Sequence, residues 1–415
     1  MFKKKFVSFG VLIVLIIACV VLVTILFVLA SVPAVNVPAS GTVVSEEPGS
    51  VESEDVNLPA PTVEEWGLPI VVSLTGSDSE YGLAAAWGFD YGIKSVNEMG
   101  GIRGLPVAIT VRDAASSKAE VTNEIKALTS DSLVMMGPPT ETAFRAGEQV
   151  FYDARMPAVG AVPDPRTRSA LQPFAISCIT DPDITSESVV ATWIRMERIT
   201  NVCIIYSSVY TDRVNSIDAA LVYTGKQIAD RVEVGNETFD AASIAKMATA
   251  TEADAYYIDM SGEDTLRVVA QLRFLAGEDA GDLSILCGPM VADKELIDSA
   301  LEGDMYGVLV WTTHDPDKDA EKRKAFAEAF DKNVGQPANY TLAVDYYQSA
   351  LMLKQAFETL ALTGDYGSMN NERETLAKWL YSSELIYTDH GDFFILDGGK
   401  VMEAKIFRIT EKGFQ

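Results

Sequence analysis

Histidine is almost missing from this chain: its 415 residues include only His314 and His390. A histidine-centred catalytic triad or a multi-histidine metal centre therefore has little material to be built from. Cysteine is scarce too, with four residues, too few to staple a small domain, and a chain of this length can bury a core without staples. Basic charge is short: 33 Lys and Arg stand against 59 Asp and Glu, a net charge of −26. A nucleic-acid binder needs the opposite balance, so nucleic acid is excluded as a partner. The patterns G-x-G-x-x-G, G-x-x-x-x-G-K-[ST] and G-x-S-x-G do not occur. The chain thus lacks the usual marks of dinucleotide, phosphate-loop and α/β-hydrolase chemistry, and no cofactor is expected.

What is present is apolar. Hydrophobic residues make up 48% of the chain and charged ones 22%, enough for packed cores in two or three domains. Lys3, Lys4 and Lys5 precede an uncharged stretch from Phe6 to Val32. That stretch reaches the roughly 20 apolar residues that span a bilayer. Residues 1–32 are read as a membrane anchor or signal sequence with the lysines on the cytoplasmic side. A retained anchor, cleavage after Ala30 or Ala34, and acylation of Cys19 all remain open. Each places the rest of the chain outside the cytoplasm. Residues 33–66 are rich in Pro, Ser and Glu without Lys or Arg, and read as an acidic linker.

From Leu68 onward, short apolar runs alternate with helical patterns. Leu68–Leu74, Leu105–Val111, Leu133–Met136 and Pro157–Ala161 read as strands, with helices at Tyr81–Asn97, Lys118–Leu128 and Thr142–Tyr152. The rhythm restarts at Val202–Tyr206 and continues at Tyr256–Met260 and Leu283–Cys287. This pattern predicts a doubly wound α/β architecture: two Rossmann-like lobes with parallel central sheets, each covered on both faces. Amphipathic helices follow at Asp319–Asn333 and Leu342–Leu362. Phe393–Leu396 and Lys405–Ile409 read as a closing hairpin around Asp397-Gly398-Gly399.

Parallel sheets bind ligands where strands end and helices begin. Three first-lobe junctions are short and polar: Thr75–Tyr81, Gly137–Thr142 and Ala161–Asp164. Thr140 or Glu141 caps the following helix and is placed to face a ligand; N-capping alone accounts equally well for the pair. Tyr81 and Tyr210 follow the first strand of each lobe, where aromatic rings either flank a ligand or pack locally. His314–Asp319 carries alternating carboxylates, but Ala320 and Phe326 stand where a calcium loop needs Gly and Glu. Cys178, Cys203 and Cys287 lie in or beside apolar runs with no zinc spacing; free core thiols or one disulfide fit. No nucleophile–base pair is visible, so an enzyme is not expected.

Leu74-Thr75-Gly76, Tyr81-Gly82, Asn97-Glu98-Met99-Gly100-Gly101-Ile102-Arg103-Gly104 and Val111-Arg112-Asp113 form an ordered set. It resembles the opening of the type I periplasmic binding proteins, in the leucine/isoleucine/valine-binding branch. The likeness continues through Ile204-Ile205-Tyr206, Tyr256-Tyr257, Asp345-Tyr346 and Asp397-Gly398-Gly399. The resemblance implies two lobes, 67–177 plus 314–388 and 178–313 plus 389–415. They would be joined by three crossings near Ile176–Thr180, Val310–His314 and Tyr387–Asp392. It further implies an extracytoplasmic solute-binding protein that closes by hinge motion on an amino acid, amide or amine and delivers it to an ABC permease. A ligand-sensing ectodomain serving a separate membrane partner is the alternative. The family's carboxylate-binding positions fall on Thr140, Glu141, Thr142, Ala161 and Pro163, and its ammonium partner on Met290. Its aromatic positions match Tyr81, Tyr210 and Met260. Pro163 has no N–H to donate and Met290 no charge, which points to a small polar or cationic solute paired with Glu141 and Asp259.

Overall fold

The computed structural model describes residues 58–162, 164–180, 182–235, 239–300, 303–335, 339–365 and 367–415. The expected membrane segment and most of the expected linker lie outside them. The last linker residues, however, are docked: Thr62 donates to the Thr363 carbonyl through its N–H at 2.8 Å. Among the described residues no helix is long and apolar enough to cross a membrane.

The first strand–helix units are β1 (Trp66–Val72), α1 (Ser79–Glu98), β2 (Val107–Asp113), α2 (Lys118–Leu128) and β3 (Met135–Met136). They continue as α3 (Glu141–Asp153), β4 (Ala158–Gly160), α4 (Pro165–Ala170) and β5 (Ala175–Ser177). Their strands make an all-parallel sheet in the order β2-β1-β3-β4-β5. Six of the seven residues of β1 are buried, as expected for a parallel strand covered on both faces.

A second run follows: α5 (Pro182–Met196), β6 (Asn201–Ser207), α6 (Thr211–Tyr223), β7 (Gln227–Val234) and α7 (Ala241–Thr249). It continues with β8 (Ala255–Asp259), α8 (Gly262–Ala276), β9 (Ser284–Cys287), α9 (Lys294–Asp298) and β10 (Leu309–Thr312). The C-terminal part contributes α10 (Ala320–Asn333), α11 (Tyr340–Thr359), α12 (Met369–Tyr381), β11 (Phe393–Leu396), β12 (Gly399–Met402), β13 (Lys405–Thr410) and β14 (Gly413–Phe414). The second sheet runs β14-β13-β10-β9-β8-β6-β7. Its strands β6 to β10 pair in parallel, while β13 and β14 close one edge antiparallel. The protein is therefore two α/β lobes with parallel-dominated sheets.

Helices α10 to α12 return to the first sheet, where Phe326, Phe330, Tyr346, Phe357 and Leu376 join Ile70 and Phe89 in one core. Two further cores fill the two faces of the second sheet, one around Val268, Ile285 and Val310, the other around Trp193, Tyr257 and Leu309. The closing hairpin differs from the sequence expectation. Asp397 and Gly398, both at positive φ, form a two-residue turn that pairs β11 with the immediately following β12. The expected partner, Lys405–Ile409, instead lies antiparallel to β10. Phe393, Ile395 and Met402 of the hairpin join the first core, so the chain passes to the second sheet at Glu403–Ala404, later than the expected Tyr387–Asp392.

Candidate functional site

The C-terminal ends of the first-sheet strands carry loops that are tied down by side chains. After β1, the Asp113 carboxylate accepts from the N–H groups of Leu74 and Ala115, each at 2.9 Å. Ser116 Oγ accepts from the Asp78 N–H and donates to the Thr75 carbonyl. The Ala115 N–H leads the contacts that hold the Asp113 carboxyl below the usual carboxylate range, so its hold on the loop persists at neutral pH and is lost in acid. Asp113→Ala should therefore speed amide exchange at Leu74 and Ala115 at neutral pH, leaving the helix interiors unchanged, as hydrogen exchange would show. Unchanged protection at both amides would count against this staple.

Thr140 is the N-cap of α3: its Oγ1 accepts from the Ala143 N–H at 3.4 Å, so the hydroxyl serves the helix start. Glu141 lies 3.8 Å from Arg145, one turn on, and Thr142 is exposed. Ala161 is buried, and its N–H donates to the Pro138 carbonyl at 3.1 Å. The backbone donor expected there is therefore used inside the lobe. Pro163 lies outside the described residues. Asp164 caps α4 through the Arg166 N–H and pairs with the Arg166 guanidinium. Tyr81, in the first turn of α1, is half-buried against the first core.

The second sheet presents a cluster of which sequence reasoning named Tyr210 and Asp259 but missed Arg213 and Tyr257. Asp259 ends β8 and is fully buried. Arg213, in the first turn of α6, donates Nε to Asp259 Oδ2 at 2.7 Å and Nη2 to Oδ1 at 2.6 Å. Tyr257 adds its hydroxyl to Oδ2 at 2.9 Å and itself accepts from Trp311 Nε1 at 3.1 Å. The Arg213 guanidinium lies 4.6 Å from the centre of the Tyr210 ring. Burial opposes the charge on Arg213, but its bonds to Asp259 hold it well above its ordinary range. Burial, reinforced by the Asp259 charge, pushes the Tyr257 phenol up as well, so it stays a donor.

This arrangement corrects two expectations. Asp259 is not a free acceptor for a cationic solute, because a buried carboxylate at a strand end has already recruited a cation and a phenol. Met260 does not line an opening; it is 2% exposed inside the second core. Met290, by contrast, is 45% exposed, just beyond β9. A signal for the pair existed: an aspartate closing the apolar run Ala255–Asp259 needs a counter-charge, and Arg213 sits one turn into the helix after the neighbouring strand. Cys178, Cys203 and Cys287 are free and buried, and burial pushes the Cys203 thiol up to about 11, which makes it a poor nucleophile. A groove of about 760 Å³ lined by Tyr91, Tyr347, Tyr387 and His390 lies on the flank of the first lobe, away from the strand ends.

Two parallel-sheet lobes carrying polar strand-end loops define the class of two-lobed binding proteins. The chain belongs to the periplasmic binding protein family, which matches residues 65–413. That membership implies an extracytoplasmic location. Among solved structures it is similar to a branched-chain amino acid ABC transporter protein from Rhodospirillum rubrum, at 17% identity and a TM-score of 0.61 over 85% of this chain and 99% of that one. An ABC transporter substrate-binding protein from Sphaerobacter thermophilus matches at 15% identity and a TM-score of 0.55, over 84% and 95% of the two chains. A branched-chain amino acid ABC transporter periplasmic ligand-binding protein from Burkholderia xenovorans matches at 15% identity and a TM-score of 0.52, over 84% and 94%. At these identities the likeness concerns the fold. No curated protein sequence matches the chain.

Proposed function

We propose that this protein is the solute-binding component of an ABC importer. It captures an amino acid or related small polar solute between the strand ends of its two lobes and closes on it by hinge motion. The observation that supports this reading most is the placement of Thr140, Glu141 and Thr142 at the end of one parallel sheet and of Tyr210 and Arg213 at the end of the other. Strand ends of open parallel sheets are where such folds hold ligands, because helix N-termini and unpaired N–H groups converge there. The family match over residues 65–413 supports it further. The solute is bound and released unchanged to a membrane permease, with the N-terminal segment as tether.

A thermal-shift screen of the protein against amino acids, amides, amines and organic acids tests this. A solute at 100 times its dissociation constant should stabilise the fold by about 2.7 kcal/mol. Glu141→Gln should change the affinity of a bound solute with little change in the melting temperature of the empty protein, since its ion pair with Arg145, at 3.8 Å, is exposed. A library that shifts nothing, or a solute that is chemically converted, would count against capture and release.

A further inference from the structure

Arg213 offers more than a counter-ion to Asp259. A guanidinium has two edges able to meet a carboxylate with parallel N–H groups. Asp259 occupies the edge formed by Nε and Nη2. The other edge, formed by Nη1 and the second N–H of Nη2, is bonded to nothing among the described residues. Nη1 is also absent from the buried polar atoms that lack a partner, and the side chain is 26% exposed, so that edge meets water. The bidentate bond to Asp259, whose Oδ2 also accepts from the Tyr257 hydroxyl, fixes the orientation of the guanidinium and leaves its Nη1 edge free. The Tyr210 ring lies beside it and limits its movement.

The neighbouring positions agree. Gly288, at the end of β9, lets the chain approach Asp259 so closely that an added Cβ would sit 2.4 Å from Oδ1, which keeps the carboxylate walled in. Met290, the position that the resemblance gives to an ammonium partner, is uncharged and exposed. On the second lobe this rim therefore offers a guanidinium with a free planar edge beside aromatic and thioether surface, while the Asp259 carboxylate behind it is walled in.

We propose that Arg213 is the anchor for a carboxylate on the solute, held end-on by Nη1 and Nη2, and that the preferred solute is a small organic acid without a required ammonium group. This rests on the cleft-binding reading above and names its substrate class. The test uses the full chain in detergent micelles with five probes: isovalerate, isovaleramide, benzoate, benzamide and leucine. Calorimetric titration should give each acid an affinity about tenfold or more above that of its amide, the worth of a hydrogen-bonded charge. Arg213→Lys keeps the charge but loses the fork and should erase most of that preference. Because Arg213 also satisfies Asp259, a second variant, Arg213→Gln with Asp259→Asn, replaces the ion pair by a neutral hydrogen-bonded one and should abolish the preference while the protein stays folded by circular dichroism. Amides that bind as well as acids, acid affinity unchanged in both variants, or no binding of either acid would overturn the assignment. The broader reading fails separately, only if the wider solute library also shifts nothing.

Discussion

Replacing Asp345 by leucine should cost about 3–5 kcal/mol, the usual penalty for stranding one member of a buried ion pair. The Lys400 ammonium lies 2.6 Å from Asp345 and 2.6 Å from Gln348 Oε1, is 1% exposed, and stands 4.8 Å from the Phe393 ring. The Lys400 backbone also forms an isolated parallel bridge with Thr180, where the chain first passes between the sheets. Burial raises the Asp345 carboxyl even against the neighbouring ammonium, so desolvation outweighs pairing. A carboxyl raised in the folded state contributes most below the ordinary carboxylate range, and its contribution declines as pH rises through the raised value. Asp345→Leu combined with Lys400→Met should therefore recover most of the single-variant loss at neutral pH. Urea unfolding of the three proteins measures this. A double variant no more stable than Asp345→Leu would show that the pair is a net source of stability.

The second large effect concerns Gly88. Helices α1 and α11 approach so closely that a Cβ on Gly88 would lie 2.1 Å from the Ala343 carbonyl oxygen, and one on Gly92 2.7 Å from Ala350 Cβ. The obstacle at Gly88 is backbone, which cannot rotate aside, so Gly88→Val must push the helices apart. Overpacking of this kind costs about 3 kcal/mol or more. Gly67→Ala, with nothing within 4 Å and an ordinary φ, is the matched control and should be near neutral. A Gly88→Val protein with unchanged melting temperature would mean that the two helices do not pack as described.

Much of this fold was legible because parallel strands buried on both faces read as short, continuous apolar runs. The runs Val202–Tyr206 and Tyr256–Met260 correspond to strands Asn201–Ser207 and Ala255–Asp259, and the helix read at Lys118–Leu128 has those bounds, with Ser117 as its N-cap. Edge strand β7 was missed because its exposed, charged pattern, QIADRVEV, resembles a loop. The hairpin partner was misplaced because two apolar runs, Gly399–Met402 and Lys405–Thr410, follow the same turn, and local pattern does not say which stays with the first lobe. The candidate site was legible as a set of strand-end loops, not as chemistry. Asp259 and Arg213 are 46 positions apart, and only the parallel pairing of β6 with β8 makes them neighbours. Ala161 showed the converse: its position was found, but its N–H is already bonded to Pro138.

Under the proposed function, the two lobes close on a small solute held between their strand ends. The most direct measurement is the distance between spin labels at Gln149 on α3 and Glu263 on α8, both exposed, in a Cys19→Ser background where the described native thiols are buried. That distance should shorten when a solute that raises the melting temperature is added, and return when it is removed. An identical distance with and without a bound solute would contradict it.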